Sequence, residues 1–220
     1  QLNPAISKAF FNKKASFLAR LGSGSACRSI EGPMIVWGAH ANITGSSDLI
    51  GIKYPYEVHS NFSNFQDTIL LVDKGEKQVS STLGHYLMHG HPFAEQRFEQ
   101  AYTNMDTLIG VLKTGDLKAF ISIVEHEALT LQAMMMSSDP YFILMKPNTL
   151  EIINKIRVFR KKTDLHICFT LDAGANVHVL FPDNEAKEIQ EFIANELAMH
   201  CQNGHFIEDN VGQGAQPIKI

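Results

Sequence analysis

Two short apolar runs, residues 167–171 and 177–181, are separated by the five residues Asp172-Ala173-Gly174-Ala175-Asn176. That spacing predicts two strands joined by a tight loop, in which Gly174 supplies the backbone freedom that a reversal needs. An antiparallel pair of this kind must bury one face, and the flanking sequence is helical in pattern. The C-terminal part of the chain is therefore expected to lay helices on a small antiparallel sheet.

The remaining periodicity fills in that α+β architecture. Residues 68–72 are a continuous β-rich apolar run bounded by Asp67 and Asp73, which suits a buried strand. From Pro92 the pattern turns helical, with Phe93, Phe98, Ala101 and Met105 on one side. Gly115-Asp116 breaks it, and 117–136 resumes as a long, mostly apolar helix. Asn148 is placed to cap a third helix through about residue 161. Asp183 is placed to cap a last one over 185–200, with Ile189, Phe192, Ile193 and Leu197 as its core face. Residues 205–207 read as a closing strand, giving the order β–α–α–α–β–β–α–β. Ahead of this, Ile6, Ala9, Phe10, Phe17 and Leu18 predict an amphipathic helix ending at Gly22. A further helix is expected to begin within 26–29, and short strands at 34–37 and 51–58.

A formal net charge of −4 excludes a general nucleic-acid binder, which needs a basic stripe to displace counterions. The densest basic run, 157–162, lies at a helix end, where it complements the helix dipole. Cys27, Cys168 and Cys201 are odd in number and widely separated, so a reducing compartment is expected. No apolar run approaches the roughly 18 residues of a membrane helix. The chain reads as cytoplasmic, without membrane or nucleic-acid partners.

Several segments carry residues capable of chemistry, each with an ordinary structural explanation beside it. The loop Gly22-Ser23-Gly24-Ser25-Ala26 suits an anion cradle at a helix start; it equally suits a plain connector. Arg28, one turn after Ser25, has the planar donors to hold a carboxylate, or is a surface arginine. Ser80, Ser81 and Thr82 follow a buried strand, with Lys74 and Lys77 nearby to favour an anionic ligand. Loops of this composition are also common solvated surface. Asp172, at a strand end among small residues, is a candidate base for a substrate hydroxyl or an Asx-type turn residue. His85, His89 and His91 lack the carboxylate or cysteine that would complete a tetrahedral metal set. Met134, Met135 and Met136 read as helix core.

The stretch Ala19-Arg20-Leu21-Gly22-Ser23-Gly24-Ser25-Ala26-Cys27-Arg28-Ser29, with Val79-Ser80-Ser81-Thr82 and Leu171-Asp172-Ala173-Gly174-Ala175-Asn176, resembles the mevalonate diphosphate decarboxylases in order and separation. The resemblance runs over nearly the whole chain. It implies the GHMP-kinase fold, with residues 1–66 the end of its N-terminal, ATP- and phosphate-binding domain and 67–220 its C-terminal domain. It implies ATP and Mg2+ as cofactors, mevalonate 5-diphosphate as the small-molecule substrate, and a homodimer. Such enzymes transfer the γ-phosphoryl group to the tertiary 3-hydroxyl, then lose phosphate and CO2 to give isopentenyl diphosphate.

By the same resemblance Asp172 is the base or orienting group for the 3-hydroxyl, and Arg28 holds the substrate carboxylate. Ser23 and Ser25, within the Gly22–Ala26 phosphate loop, lie on phosphates, and Ser81 with Ser80 beside it contacts the substrate diphosphate. Ala175 stands where the family more often has proline, Gly84-His85 where it has Gly-Met, and Ile30-Glu31-Gly32-Pro33 where a Gly-Gly pair is commoner. The family's N-terminal region, with its tyrosine, lysine and adenine pocket, has no counterpart in these residues. The chain therefore reads as a fragment, inactive alone. A mevalonate 3-kinase or phosphomevalonate decarboxylase of the same fold, and a non-catalytic phosphate-ligand domain, are the competing expectations.

Overall fold

In the computed structural model, which describes residues 6–75, 84 and 86–216, the opening periodicity becomes helix α1 (Lys8–Gly22). The Ser7 hydroxyl accepts the Phe10 N–H at 3.2 Å, satisfying one of the donors that a helix start leaves open. Strands β1 (Ile35–Trp37) and β2 (Gly51–Lys53) pair antiparallel. Ser16, buried in the middle of α1, ties these pieces together. Its hydroxyl accepts the Gly51 N–H at 2.9 Å and donates to the Cys27 carbonyl at 3.1 Å. Only glycine fits at 51, because a Cβ would lie 2.8 Å from Ile35 Cγ2.

The end of the chain returns to this unit. Glu31 and Gly214 form a β-bridge, and the Ala215 N–H bonds the Ile30 carbonyl at 3.3 Å. Of the described residues, 6–57 and 211–216 belong to one compact unit and 58–210 to another. That boundary precedes the division at 66/67 read from the sequence. Residues 58–66 are held by the helices of the second unit: the His59 N–H bonds the Leu112 carbonyl at 2.8 Å. Phe62 and Phe65 pack on Phe120 with ring centroids 5.1 and 5.2 Å away.

The second unit is built on strands β3 (Gln66–Leu70), β4 (Cys168–Thr170), β5 (Val177–Phe181) and β6 (Phe206–Asn210). They form one antiparallel sheet in the order β4-β5-β3-β6. Strand β3 sits two residues earlier than the apolar run suggested. Beyond Leu70 the chain turns, with the Val72 N–H bonding the Leu70 carbonyl, so Val72 packs on the core from outside the ladder.

Helices α2 (Ala94–Thr114), α3 (Leu117–Met136) and α4 (Pro147–Thr163) follow β3. Gly115 ends α2 at φ +78°, the left-handed C-terminal position that glycine adopts without a Cβ penalty. Asp116 starts α3 by accepting the Ala119 N–H at 3.0 Å. Asn148 is not the cap of α4. The helix starts at Pro147, whose missing N–H costs nothing in a first turn, and Asn148 Nδ2 donates instead to the His200 carbonyl.

Asp183 likewise caps nothing; its carboxylate accepts Gln66 Nε2 at 3.0 Å. The last helix is broken into a 3-10 turn (Asp183–Glu185), α5 (Ala186–Phe192), a π-turn (Ile193–Leu197) and a second 3-10 turn (Ala198–His200). Its expected core face is nevertheless buried: Ile189, Phe192, Ile193 and Leu197 all join the main core. That core is the inner face of the sheet (Leu70, Phe169, Val177, Val179, Phe181) packed on Ile152, Ile153 and Ile156 of α4. Phe159 and Phe192 stack at 3.9 Å between α4 and α5.

Ile156 is fully buried at the centre of this contact. Ile156→Ala is therefore expected to cost about 2–5 kcal/mol through lost transfer energy and a residual cavity. Equilibrium urea unfolding of the two proteins measures it, and a change below about 1 kcal/mol would contradict this packing.

Candidate active site

In the second unit an open cleft of about 250 Å³ is lined by the whole loop from Asp172 to Asn176, together with Asp73, Lys74, Gly75, Lys146 and His178. The loop is short and its carbonyls need partners. Thr149, fully buried in the first turn of α4, donates to the Ala175 carbonyl at 2.7 Å. The Gly174 N–H and the Gln132 side-chain amide both donate to the Asp172 carbonyl at 2.9 Å. Asn176 Oδ1 accepts the Asp73 N–H at 3.0 Å, joining the loop to the end of β3. Ala173 rests on a small second core of Leu87, Met135 and Leu144. The outcome is an exposed carboxylate at Asp172 on a backbone gripped at both ends.

Charge in the cleft is arranged in pairs. The Asp73 carboxylate is ion-paired with Lys146 and accepts the Gly75 N–H at 2.9 Å. The Lys146 hydrogen bond, then the Gly75 N–H, hold the Asp73 carboxyl below the usual aspartate range. Lys74 Nζ contacts His205 Nδ1, and its backbone N–H bonds Gln202 Oε1 at 2.7 Å. His178 Nδ1 lies 2.9 Å from the Asp67 carboxylate across the β5–β3 ladder.

In the first unit the Gly22-to-Ala26 loop leaves α1 with Ser23 in extended conformation, its N–H bonding the Ala19 carbonyl. The chain then winds into a six-residue 3-10 helix, Gly24–Ser29. The expected further helix beginning within 26–29 is replaced by this short turn, which sums few peptide dipoles. Gly24 has a packing role as well, since a Cβ there would lie 2.7 Å from Trp37 Cη2. Ser25, Ala26 and Arg28 line a shallow depression of about 440 Å³ with Ser29, Pro33 and Met34. Gly22, Ser23 and Gly24 are outside that lining. Arg28 is exposed, and it has no ion pair or hydrogen bond among the described residues.

Ser80, Ser81, Thr82, Lys77 and His85 lie outside the described residues. His91 serves structure, its Nδ1 accepting the Phe93 N–H at 3.1 Å and its Nε2 meeting Ser137 Oγ at 3.2 Å. Among the described residues no group of three potential metal ligands occurs. Met134 and Met135 are core, as expected, whereas Met136 is exposed. Burial pushes the Cys168 and Cys201 thiols up, so neither supplies a thiolate at neutral pH. Among the described residues, no helix is long and apolar enough to cross a membrane.

The family model of the mevalonate 5-diphosphate decarboxylase C-terminal domain matches residues 68–218. The chain belongs to this family. The diphosphomevalonate decarboxylase of Ganoderma lucidum is 29% identical over 185 residues, 81% of this chain and 46% of that protein. The phosphomevalonate decarboxylase of Haloferax volcanii is 25% identical over 183 residues, 83% of this chain and 53% of that protein. A solved structure of MDDEF with MVAPP, AMPPCP and magnesium superposes with a TM-score of 0.75 at 25% identity, covering 95% of this chain and 60% of that one. The fold is accordingly the α+β fold of the GHMP kinases. The chain spans about half the length of the curated relatives it matches.

Lys146, Thr149 and Gln132 were not legible as site residues, because each meets the Asp172 region only through the fold. A usable signal existed for Gln132 alone: it is the one amide in the apolar stretch 128–136. For a charge pair as exposed as Asp73–Lys146, the consequence is electrostatic. A lowered native pKa means that stability is present above the ordinary aspartate range and is lost as pH falls through the depressed value. Lys146→Met is expected to move the Asp73 titration upward, toward an ordinary carboxyl. Carboxyl-detected NMR titration reads this directly, and an unmoved midpoint would remove Lys146 as the cause.

Proposed function

We propose that the gene product containing this chain performs the ATP-dependent decarboxylation of mevalonate 5-diphosphate to isopentenyl diphosphate. The observation that carries it is the exposed Asp172 carboxylate on a loop clamped by Thr149 and Gln132 in a polar cleft. In this reading Asp172 accepts the proton of the 3-hydroxyl as that oxygen takes the γ-phosphoryl group. The phosphorylated C–O bond then breaks, phosphate leaves, and the carbon gains positive character beside the Asp172 carboxylate. The C–C bond to the substrate carboxylate breaks next, its electron pair forming the double bond as CO2 departs.

Arg28, exposed and uncommitted, serves the substrate carboxylate, and Ser23, Ser25, Ser80 and Ser81 serve phosphate oxygens, with Gly22, Gly24 and Ala26 keeping that loop small. Magnesium would arrive with the phosphates of ATP and supply charge compensation there. The exposed carboxylate and serine hydroxyls are the hard oxygen donors it accepts. Residues 6–57 then represent part of the GHMP N-terminal domain, and the second unit, which holds most of the matched residues 68–218, its C-terminal domain. A homodimer belongs to the same proposal and rests on the family resemblance, and cytoplasmic placement rests on the three widely separated cysteines.

A second substrate is favoured by one observation: the Haloferax volcanii relative, similar over the same share of this chain, acts on the monophosphate by name. Comparing kcat/KM for mevalonate 5-phosphate and 5-diphosphate decides between them.

Asp172→Asn is expected to lower kcat by about 10²–10⁴-fold with little change in either KM. A turn residue would instead lose stability and keep its rate per folded molecule, so kcat within about threefold of the parent would return Asp172 to that role. Arg28→Lys keeps the charge but loses the paired planar donors. It is expected to reduce kcat/KM for the substrate by about 10–100-fold, one charged hydrogen bond, while KM for ATP stays put. Unchanged steady-state kinetics would take Arg28 out of the site.

A further inference from the structure

Gln132 lies on the buried side of α3 among Ala128, Met134 and Met135, and is itself 1% exposed. Its Nε2 donates to the Asp172 carbonyl at 2.9 Å. A carbonyl can only accept, so the amide's orientation is fixed: Nε2 faces the loop and Oε1 faces away. Oε1 is buried and has no hydrogen-bond partner among the described residues. An unpaired buried carbonyl lowers stability, and methionine would fill nearly the same volume with no polar atom to satisfy.

Nor does the Asp172 carbonyl depend on Gln132 for a partner, since the Gly174 N–H already donates to it. Gln132 thus weakens the fold at one end of its amide and, at the other, duplicates a bond already made. What the second bond adds is an external reference. Gly174 belongs to the same loop and moves with it, whereas Gln132 belongs to a 20-residue helix packed against β4. A local rule broken without structural gain is the pattern expected where function sets the residue.

We infer that Gln132 is a positioning residue that fixes where the Asp172 carboxylate emerges into the cleft. This rests on the reading of Asp172 as the acceptor of the hydroxyl proton. A donor tied to the helix frame holds the Asp172 Cα, and hence the base, against the substrate oxygen. A misplacement of about 1 Å can cost on the order of 10²-fold in rate.

The test is Gln132→Met in the gene product that carries this chain, beside Asp172→Asn and the parent. The expected result is a melting temperature equal to or above the parent's, since the orphan acceptor is gone. It is paired with a kcat, counted per folded molecule, lower by about 10–100-fold. KM for ATP and for the phosphorylated substrate should remain within about threefold. A lowered melting temperature with kcat within threefold would make Gln132 purely structural and overturn the inference. If the methionine variant does not fold, Gln132→Asn retains the amide but is one methylene too short to reach Asp172. The same kcat loss is expected of it, and an unchanged kcat overturns the inference. Should Asp172→Asn abolish turnover while Gln132→Met leaves it intact, the inference fails and the proposed function stands. If Asp172→Asn leaves turnover intact, the reading of Asp172 fails and takes this inference with it.

Discussion

Strand β3 is hydrogen-bonded along both edges, to β5 on one side and β6 on the other, so that Leu70 faces Val177 and Phe206 at once. Every helix from α2 to α5 lies in the sequence between β3 and β6. Register is therefore the constraint on which the second unit depends. A slip by one residue would turn Thr68 and Leu70 outward and deprive Ile152, Ile153 and Ile156 of their partners. It would also move the end of β3, where Asp73 meets Asn176 and Lys146. The cleft is positioned by a ladder whose partners come from the far end of the unit.

Within that frame the Asp172 loop is held by side chains on α3 and α4 and by the backbone at the end of β3, and none of these anchors is its sequence neighbour. Two of the three are buried polar side chains, Gln132 and Thr149, that a core could have replaced with apolar ones. Rigidity of this kind suits the role proposed for Asp172, because proton transfer requires hydrogen-bond distance before it requires a favourable pKa. The neighbouring cation, Lys146, is already engaged by Asp73, so its charge is largely spent within the pair. Of the two carboxylates that line the cleft, Asp73 is paired with this lysine and Asp172 is exposed.

How much of this could be read beforehand depended on how local each signal was. Helix α3 matched its expected bounds because Gly115 and Asp116 mark the start and the apolar stretch ends at Met136. The antiparallel pair around Asp172 was equally legible, since its two strands and its loop are contiguous. Asn148 reads as the cap of α4 because two helix-start signals, Pro147 and Asn148, stand side by side, and in the fold the asparagine is drawn away by His200. The last helix reads as continuous because periodicity does not register the π-turn at Ile193–Leu197. At the Gly22–Ala26 loop, composition revealed small residues but neither the 3-10 turn beyond them nor the space that Trp37 needs at Gly24. The Asp73–Lys146 pair joins distant segments, and no local pattern announces such a meeting.

The return of residues 211–216 to the first unit, where Gly214 bridges Glu31, makes the second unit an insertion within the first. A ribosome delivers the chain from its N-terminal end, so all of residues 58–210 emerge before the piece that completes the first unit. The inserted sheet and helices can close their own core while the backbone at Glu31 and Ile30 still waits for its partners. Completion of the first unit is thereby scheduled last, and a ribosome that stalls shortly before residue 211 releases a chain in which Glu31 and Ile30 lack the backbone of Gly214 and Ala215.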